Sequence, residues 1–158
     1  MQFKEYECSF EVNNFAPILE FCNKNGFNLI EQNKQIRTIY KDKDKRFMFR
    51  TTINESDNKI TKKFDFKEDK LVPGQIFGER QETLEIKYEN EDEAQSIVEF
   101  FNMTKETVLI RIRQVFLKND VKFELDEYIE PRIACVVGIE GKKEEVDNMY
   151  NILKTYQI

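Results

Sequence analysis

Apolar and polar positions alternate with a period of two over most of this chain, which places residues two apart on the same side of an extended strand. From Gln2 to Val12, Lys4, Tyr6, Cys8, Phe10 and Val12 share one face, and Phe3, Glu5, Glu7, Ser9 and Glu11 share the other. Lys59 to Phe66 sets Ile60, Phe64 and Phe66 against Lys59, Thr61, Lys63 and Asp65, with Lys62 as the exception. Val121 to Tyr128 sets Val121, Phe123 and Leu125 against Lys122, Glu124 and Asp126. Thr107 to Leu117 places Arg111 with Arg113 and Ile110 with Ile112, and Arg80 to Tyr88 places Arg80 with Glu82. With Asn28 to Tyr40, Arg46 to Ile53 and Ile133 to Glu140, the pattern predicts eight strands.

Helical spacing replaces alternation in three places. Asn14, Pro17 and Gly26 punctuate a short helix with Asn14 as its N-cap. Asn90 to Asn102 carries Ala94, Ile97, Val98 and Phe101 on one face, and the segment after Gly141 carries Val146, Met149, Tyr150 and Leu153. Asn119-Asp120 reads as a tight hairpin turn and Asn54 to Asn58 as a hairpin loop, so the sheet is predicted to be mainly antiparallel. The fold class expected is α+β: an eight-stranded antiparallel barrel, closed or nearly closed, with helices packed outside.

Nearly every strand has both signs of charge on its polar face, while three helices are available to cover the apolar faces. Helices outside a barrel turn the polar faces inward, and buried charge then demands an ionic ligand or matched ion pairs. Composition is consistent with this. Charged residues make up 35% of the 158 positions, yet 14 Phe and 6 Tyr supply enough large side chains for a core. The length suits a single domain spanning 1–158.

The chain contains no histidine, which leaves carboxylates, Lys, Arg, Tyr and water for chemistry. Cys8, Cys22 and Cys135 have no metal-ligand or redox spacing and are expected to be free thiols. No apolar run is long enough to span a bilayer and no signal segment opens the chain, so a cytoplasmic protein without a membrane partner is expected. The net charge of −5 argues against nucleic acid as a partner. The run Lys41 to Lys45 reads as a solvated turn, and Phe64 to Phe77, containing Pro73-Gly74, as a packed loop.

Seven fragments, taken in order, resemble the CYTH, or triphosphate tunnel metalloenzyme, superfamily, to which class IV adenylate cyclases, thiamine triphosphatases and inorganic triphosphatases belong. Glu5-Tyr-Glu7 resembles its ExExK signature, Arg46 to Arg50 its paired-arginine strand, Thr61-Lys-Lys63 its TxK strand, and Arg80-Gln-Glu82 its RxE strand. Arg111-Ile-Arg113-Gln-Val-Phe116 is similar to its (K/R)xRxx(Y/F) motif, Leu125-Asp126 to its LD pair, and Gly138 to Gly141 to its closing ExEG. Three positions depart. Ser9 stands for the signature lysine, Met48 for the first arginine of the pair, and Gly138 for the first closing glutamate, which places catalytic competence in question.

The resemblance implies a tunnel that holds a triphosphate and a divalent metal, Mg²⁺ or Mn²⁺. Planar Arg forks and Lys point charges suit phosphate oxygens, which nominates Arg50, Lys63, Arg80, Arg111 and Arg113 for substrate binding. Hard oxygen donors suit those metals, which nominates Glu5, Glu7 and Glu140. Glu82 and Asp126 are the catalytic candidates, orienting basic side chains or a water; each nominated charge could equally be one member of an in-barrel ion pair.

The expected activity is metal-dependent hydrolysis of inorganic triphosphate or of an organic triphosphate such as thiamine triphosphate or a nucleotide. The alternatives are a class IV type adenylate cyclase and a non-catalytic triphosphate-binding module. The resembled cyclases carry a His-containing motif, so the absence of histidine weighs against the first alternative. The partner expected is a triphosphate-containing small molecule, bound by a monomer or homodimer.

Overall fold

The computed structural model describes residues 4–41, 47–56, 59–69 and 77–158, with side chains for all of these except 4–5, 47–52, 54–56, 65–69 and 77–84. Eight strands are present: β1 (Lys4–Val12), β2 (Asn28–Lys41), β3 (Phe47–Ser56), β4 (Lys59–Asp69), β5 (Phe77–Tyr88), β6 (Thr104–Lys118), β7 (Val121–Glu130) and β8 (Ala134–Gly141). Among the described residues two α-helices interrupt them, α1 (Ala16–Lys24) and α2 (Glu91–Phe100), and a third, α3 (Lys143–Leu153), follows β8. All strand pairings are antiparallel. The spatial order is β1-β5-β4-β3-β2-β6-β7-β8, and β8 pairs back onto β1, so the ring closes into a barrel.

The turns that shape this ring follow from local chemistry. Asn119, with φ at +53°, makes the two-residue reversal between β6 and β7, a backbone region that asparagine tolerates better than most residues. Gly26, with φ at +72°, ends α1 as predicted. Several strands run longer than the sequence reading, such as β5 from Phe77, β6 from Thr104 and β7 to Glu130, and three further differences concern caps and turns. Phe15, rather than Asn14, is the N-cap of α1; the Asn14 side chain accepts a hydrogen bond from the Ala16 amide at 3.0 Å and so satisfies an orphan donor from outside the helix. Asn54, Glu55 and Ser56 lie in β3 instead of in a loop, paired with Thr61, Ile60 and Lys59. The segment expected to loop from Phe64 begins as strand, because β4 continues to Asp69 in register with both β3 and β5. The rest of that segment, 70–76, and 42–45 of the expected turn after Lys41 lie outside the described residues.

The main apolar core lies outside the barrel. Cys8, Phe10 and Val12 of β1, Val121, Phe123 and Leu125 of β7, and Val137 and Ile139 of β8 pack against Ile18 and Cys22 of α1 and Val146 and Leu153 of α3. A smaller cluster of Phe64, Tyr88, Ala94 and Val98 lies under α2. Phe101, expected on the apolar face of α2, is the C-cap residue and is more than half exposed. Period-two alternation then directs the opposite faces of β1, β7 and β8 inward, as expected from the sequence.

Phe123 is fully buried between the Phe27 ring, edge-on at 5.0 Å, and the Phe21 ring at 6.0 Å. Phe123→Ala should therefore cost about 3–5 kcal/mol in denaturant unfolding through lost burial and a cavity. A cost below ~1 kcal/mol would show that α1 is not anchored on this face.

Candidate functional site in the barrel interior

Among the described residues the interior face carries eight buried polar or charged side chains: Glu7, Asn33, Gln35, Arg37, Arg111, Glu124, Asp126 and Glu140. Their order follows from strand register. Glu7 lies opposite Glu140, and Glu140 opposite Lys122. One step along, Ser9 lies opposite Gly138, and Gly138 opposite Glu124. Asp126 faces Arg113, Tyr128 faces Arg111, and on the other side of β6 Arg111 faces Gln35 while Leu109 faces Arg37.

Asp126 holds the centre. One of its oxygens accepts from Arg113 Nε at 2.6 Å, and the other accepts from Arg113 Nη2 and Arg111 Nη1, each at 2.7 Å. Arg111 also donates Nε and Nη2 to Gln35 Oε1, at 2.8 and 2.6 Å, and Nη1 to the Tyr128 hydroxyl at 3.1 Å. Arg113 Nη1 lies 2.6 Å from Glu124 Oε1, Lys122 Nζ lies 3.5 Å from that same oxygen, and Lys122 also contacts Glu140. Charges of alternating sign therefore run continuously along β6, β7 and β8.

Burial acts on each member differently. Arg111 is pushed below the usual arginine range by burial and by the neighbouring Arg113 charge, with Asp126 opposing. Burial opposes the charge of Arg113 as well, but its hydrogen bonds to Asp126 and the carboxylates of Glu124 and Asp126 hold it above the usual range. Glu140 is pushed up to about 7 by burial and by the Glu124 charge, against the pull of Lys122. Ser9 donates to Glu7 Oε1 at 2.9 Å, so the residue standing for the signature lysine is a hydrogen-bond donor to the signature carboxylate.

Of the residues nominated from sequence, Arg111, Arg113 and Asp126 form one bonded unit, and Glu7 and Glu140 are register neighbours beside it. Lys63 is half-buried on the face opposite Phe64 and pairs with Glu85 at 3.0 Å. The side chains of Glu5, Arg50, Arg80 and Glu82 lie outside the described residues; their backbones place Glu5 opposite Arg80 and Arg50 opposite Asp65. Four interior groups among the described residues were not nominated from sequence: Asn33, Gln35, Arg37 and Tyr128. Lys122 and Glu124 were placed on the correct face but given no role.

A cavity of about 580 Å³ opens at one end of this network, lined by Leu109, Tyr128, Pro131, Arg132, Ala134 and Val136. Its lining is mainly apolar, and Tyr128 belongs both to it and to the Arg111 network.

No family profile and no curated protein matches the sequence. Solved structures do match the fold. The PH1012 protein of Pyrococcus horikoshii OT3 superposes with a TM-score of 0.74 at 18% identity, covering 95% of this chain and 88% of that one. An adenylyl cyclase candidate from Hippeastrum, described as having a dominant triphosphatase activity, gives 0.68 at 11% identity over 96% and 87%. A chain of the Schizosaccharomyces pombe Mediator head module gives 0.68 at 8% identity over 99% and 97%. The barrel fold expected from the sequence is thus one that these solved structures share. Among the described residues no helix is long and apolar enough to cross a membrane.

Two outcomes follow from the geometry. Asp126→Asn leaves two buried guanidinium groups facing an amide, and unfolding measurements should show a loss of about 3–5 kcal/mol; a variant as stable as wild type would mean the pairs are not formed. A Glu140 pKa raised above its ordinary value of 4.5 favours the folded state only while the group is protonated. Stability in EDTA should therefore fall as pH rises from 4.5 through about 7, and Glu140→Gln should flatten that slope. An unchanged slope would show that another group titrates there.

Proposed function

We propose that the barrel interior binds a triphosphate and that the protein is a metal-dependent phosphohydrolase acting on it. The observation that carries this reading is the buried face itself: guanidinium groups and carboxylates packed on the inner wall of a closed barrel whose apolar core lies outside. Guanidinium forks match phosphate oxygens, and Asp126 presets the direction of two of them. A bound triphosphate would compete with Asp126 and Glu124 for the same donors, exchanging one set of charge-assisted bonds for another.

The carboxylates fit a hard divalent ion. Glu7 and Glu140 are neighbouring oxygen donors on β1 and β8, and Mg²⁺ and Mn²⁺ take one or two carboxylates together with substrate phosphates. Among the described residues no group of three or more acidic, His or Cys side chains is arranged to hold a metal, so the phosphate oxygens would complete the shell. When bound, the ion supplies neutralisation of charge on the transferring phosphoryl group. In the hydrolytic step a water oxygen forms a bond to the terminal phosphorus, and the bridging P–O bond breaks to release phosphate. Glu82 is the candidate for orienting that water.

The apolar cavity beside Tyr128 favours an organic triphosphate over the inorganic one, because an aromatic or aliphatic group could be buried there while its phosphates reach the arginines. The second reading is a binding module without turnover. It is favoured by Ser9 and Gly138 at positions where the tunnel motifs carry charge.

Phosphate release, measured with tripolyphosphate, thiamine triphosphate and ATP in Mg²⁺ or Mn²⁺, decides among these. The expected result is release that EDTA abolishes, with a lower KM for an organic substrate than for tripolyphosphate. Cyclic AMP and pyrophosphate from ATP would instead identify a cyclase. Thermal stabilisation by these ligands with no product would identify the binding module.

A further inference from the structure

The described interior cations divide into two kinds. Arg111, Arg113 and Lys122 each contact at least one carboxylate. Arg37 on β2 does not. It is buried, at 8% exposure, yet no described carboxylate pairs with it, and its Nε has no hydrogen-bond partner. Asn33, Gln35, Arg37 and Ile39 are buried in alternation along β2, and Gln35 bonds Arg111, so this face of β2 is the one turned to the interior network. In register, Arg37 sits opposite Leu109, a residue of the apolar cavity wall, and two positions from Gln35.

An arginine keeps its charge at any physiological pH, and burying that charge without an acceptor is costly. The Nε of Arg37 is a buried donor open to an anion, situated between the Arg111 network and the cavity. We propose that Arg37 is an anion anchor of the tunnel: it takes phosphate oxygens of the ligand at the cavity end, where the phosphate chain joins the organic group. Arg111 and Arg113 hold the remainder of the chain in competition with Asp126, whereas no described carboxylate competes for Arg37. Arg37 thus adds affinity that the paired arginines cannot supply as fully. This assignment rests on the triphosphate reading of the interior.

Titration calorimetry of the full chain with tripolyphosphate and with thiamine triphosphate, each with and without Mg²⁺, tests it on wild type, Arg37→Met and Arg37→Lys. Arg37→Met should bind at least tenfold more weakly, and Arg37→Lys should recover part of that loss, since a point charge replaces the fork. The ligand-free melting temperature of Arg37→Met should be held or raised, because a buried charge with no described carboxylate partner is removed. Wild-type binding that survives Arg37→Met unchanged overturns the assignment and leaves the triphosphate reading standing. A ligand-free melting temperature lowered in both variants marks Arg37 as a structural group and also overturns it. Wild type that binds neither tripolyphosphate nor thiamine triphosphate under either condition overturns the triphosphate reading itself, and the anchor with it.

Discussion

Everything in this barrel depends on which side of the sheet the helices occupy. Ile18 and Cys22 of α1 and Val146 and Leu153 of α3 cover the outward faces of β1, β7 and β8, so the apolar members of each alternating strand are taken up outside. A strand has only two faces, and the polar members are thereby committed to the interior. Glu7, Glu124, Asp126, Glu140, Arg37 and Arg111 are buried as a consequence of the outer core. The charged interior and the apolar exterior core are one decision, made by where three helices pack.

Commitment of charge to an interior requires that it be organised. Asp126 does most of this, with one carboxylate accepting from two arginines on β6. Buried pairs of this kind contribute little net stability relative to an apolar core, because desolvation offsets their attraction. What they contribute is direction. Arg111 is fixed on three sides by Gln35, Asp126 and Tyr128, and so has few rotamers left to lose when a ligand arrives. The interior is arranged in advance, which lowers the ordering cost of binding a multiply charged ligand.

Alternation was legible wherever one face of a strand was distinctly apolar. Cys8, Phe10 and Val12 on β1, and Val121, Phe123 and Leu125 on β7, assigned the inward faces correctly, and with them Glu7, Glu124 and Asp126. The strand β2 resisted the same reading. Gln32, Asn33, Lys34 and Gln35 are polar in succession, and burial of every second one is imposed by pairing with β6 rather than by pattern, so Gln35 and Arg37 gave no local signal. Tyr128 was likewise invisible, because its role depends on contact with an arginine on another strand. Phe101 misled for the opposite reason: helical spacing marked it as apolar-facing, but α2 ends before that position can pack.

Ser9 and Gly138 look like two independent losses when the motifs are read along the chain. In the barrel they are opposite each other, and Glu124 stands next in the same row on β7. A Cβ at Gly138 would lie 3.5 Å from the Glu124 Cβ and 3.9 Å from its Oε2, so the Glu124 side chain packs over the ground that a side chain at 138 would share. Lys122 reaches the same carboxylate at 3.5 Å. A carboxylate therefore stands on β7 beside Ser9 and Gly138, and the Lys122 ammonium reaches it from the row of Glu140. In a closed ring the charge at a given height is set by all the strands that pass it, so a missing motif residue in one strand is a loss only if no neighbour projects an equivalent group into the same space. At the height of Ser9 and Gly138 that neighbour is Glu124 of β7, which supplies a carboxylate but no cation, since Lys122 stands one row away opposite Glu140.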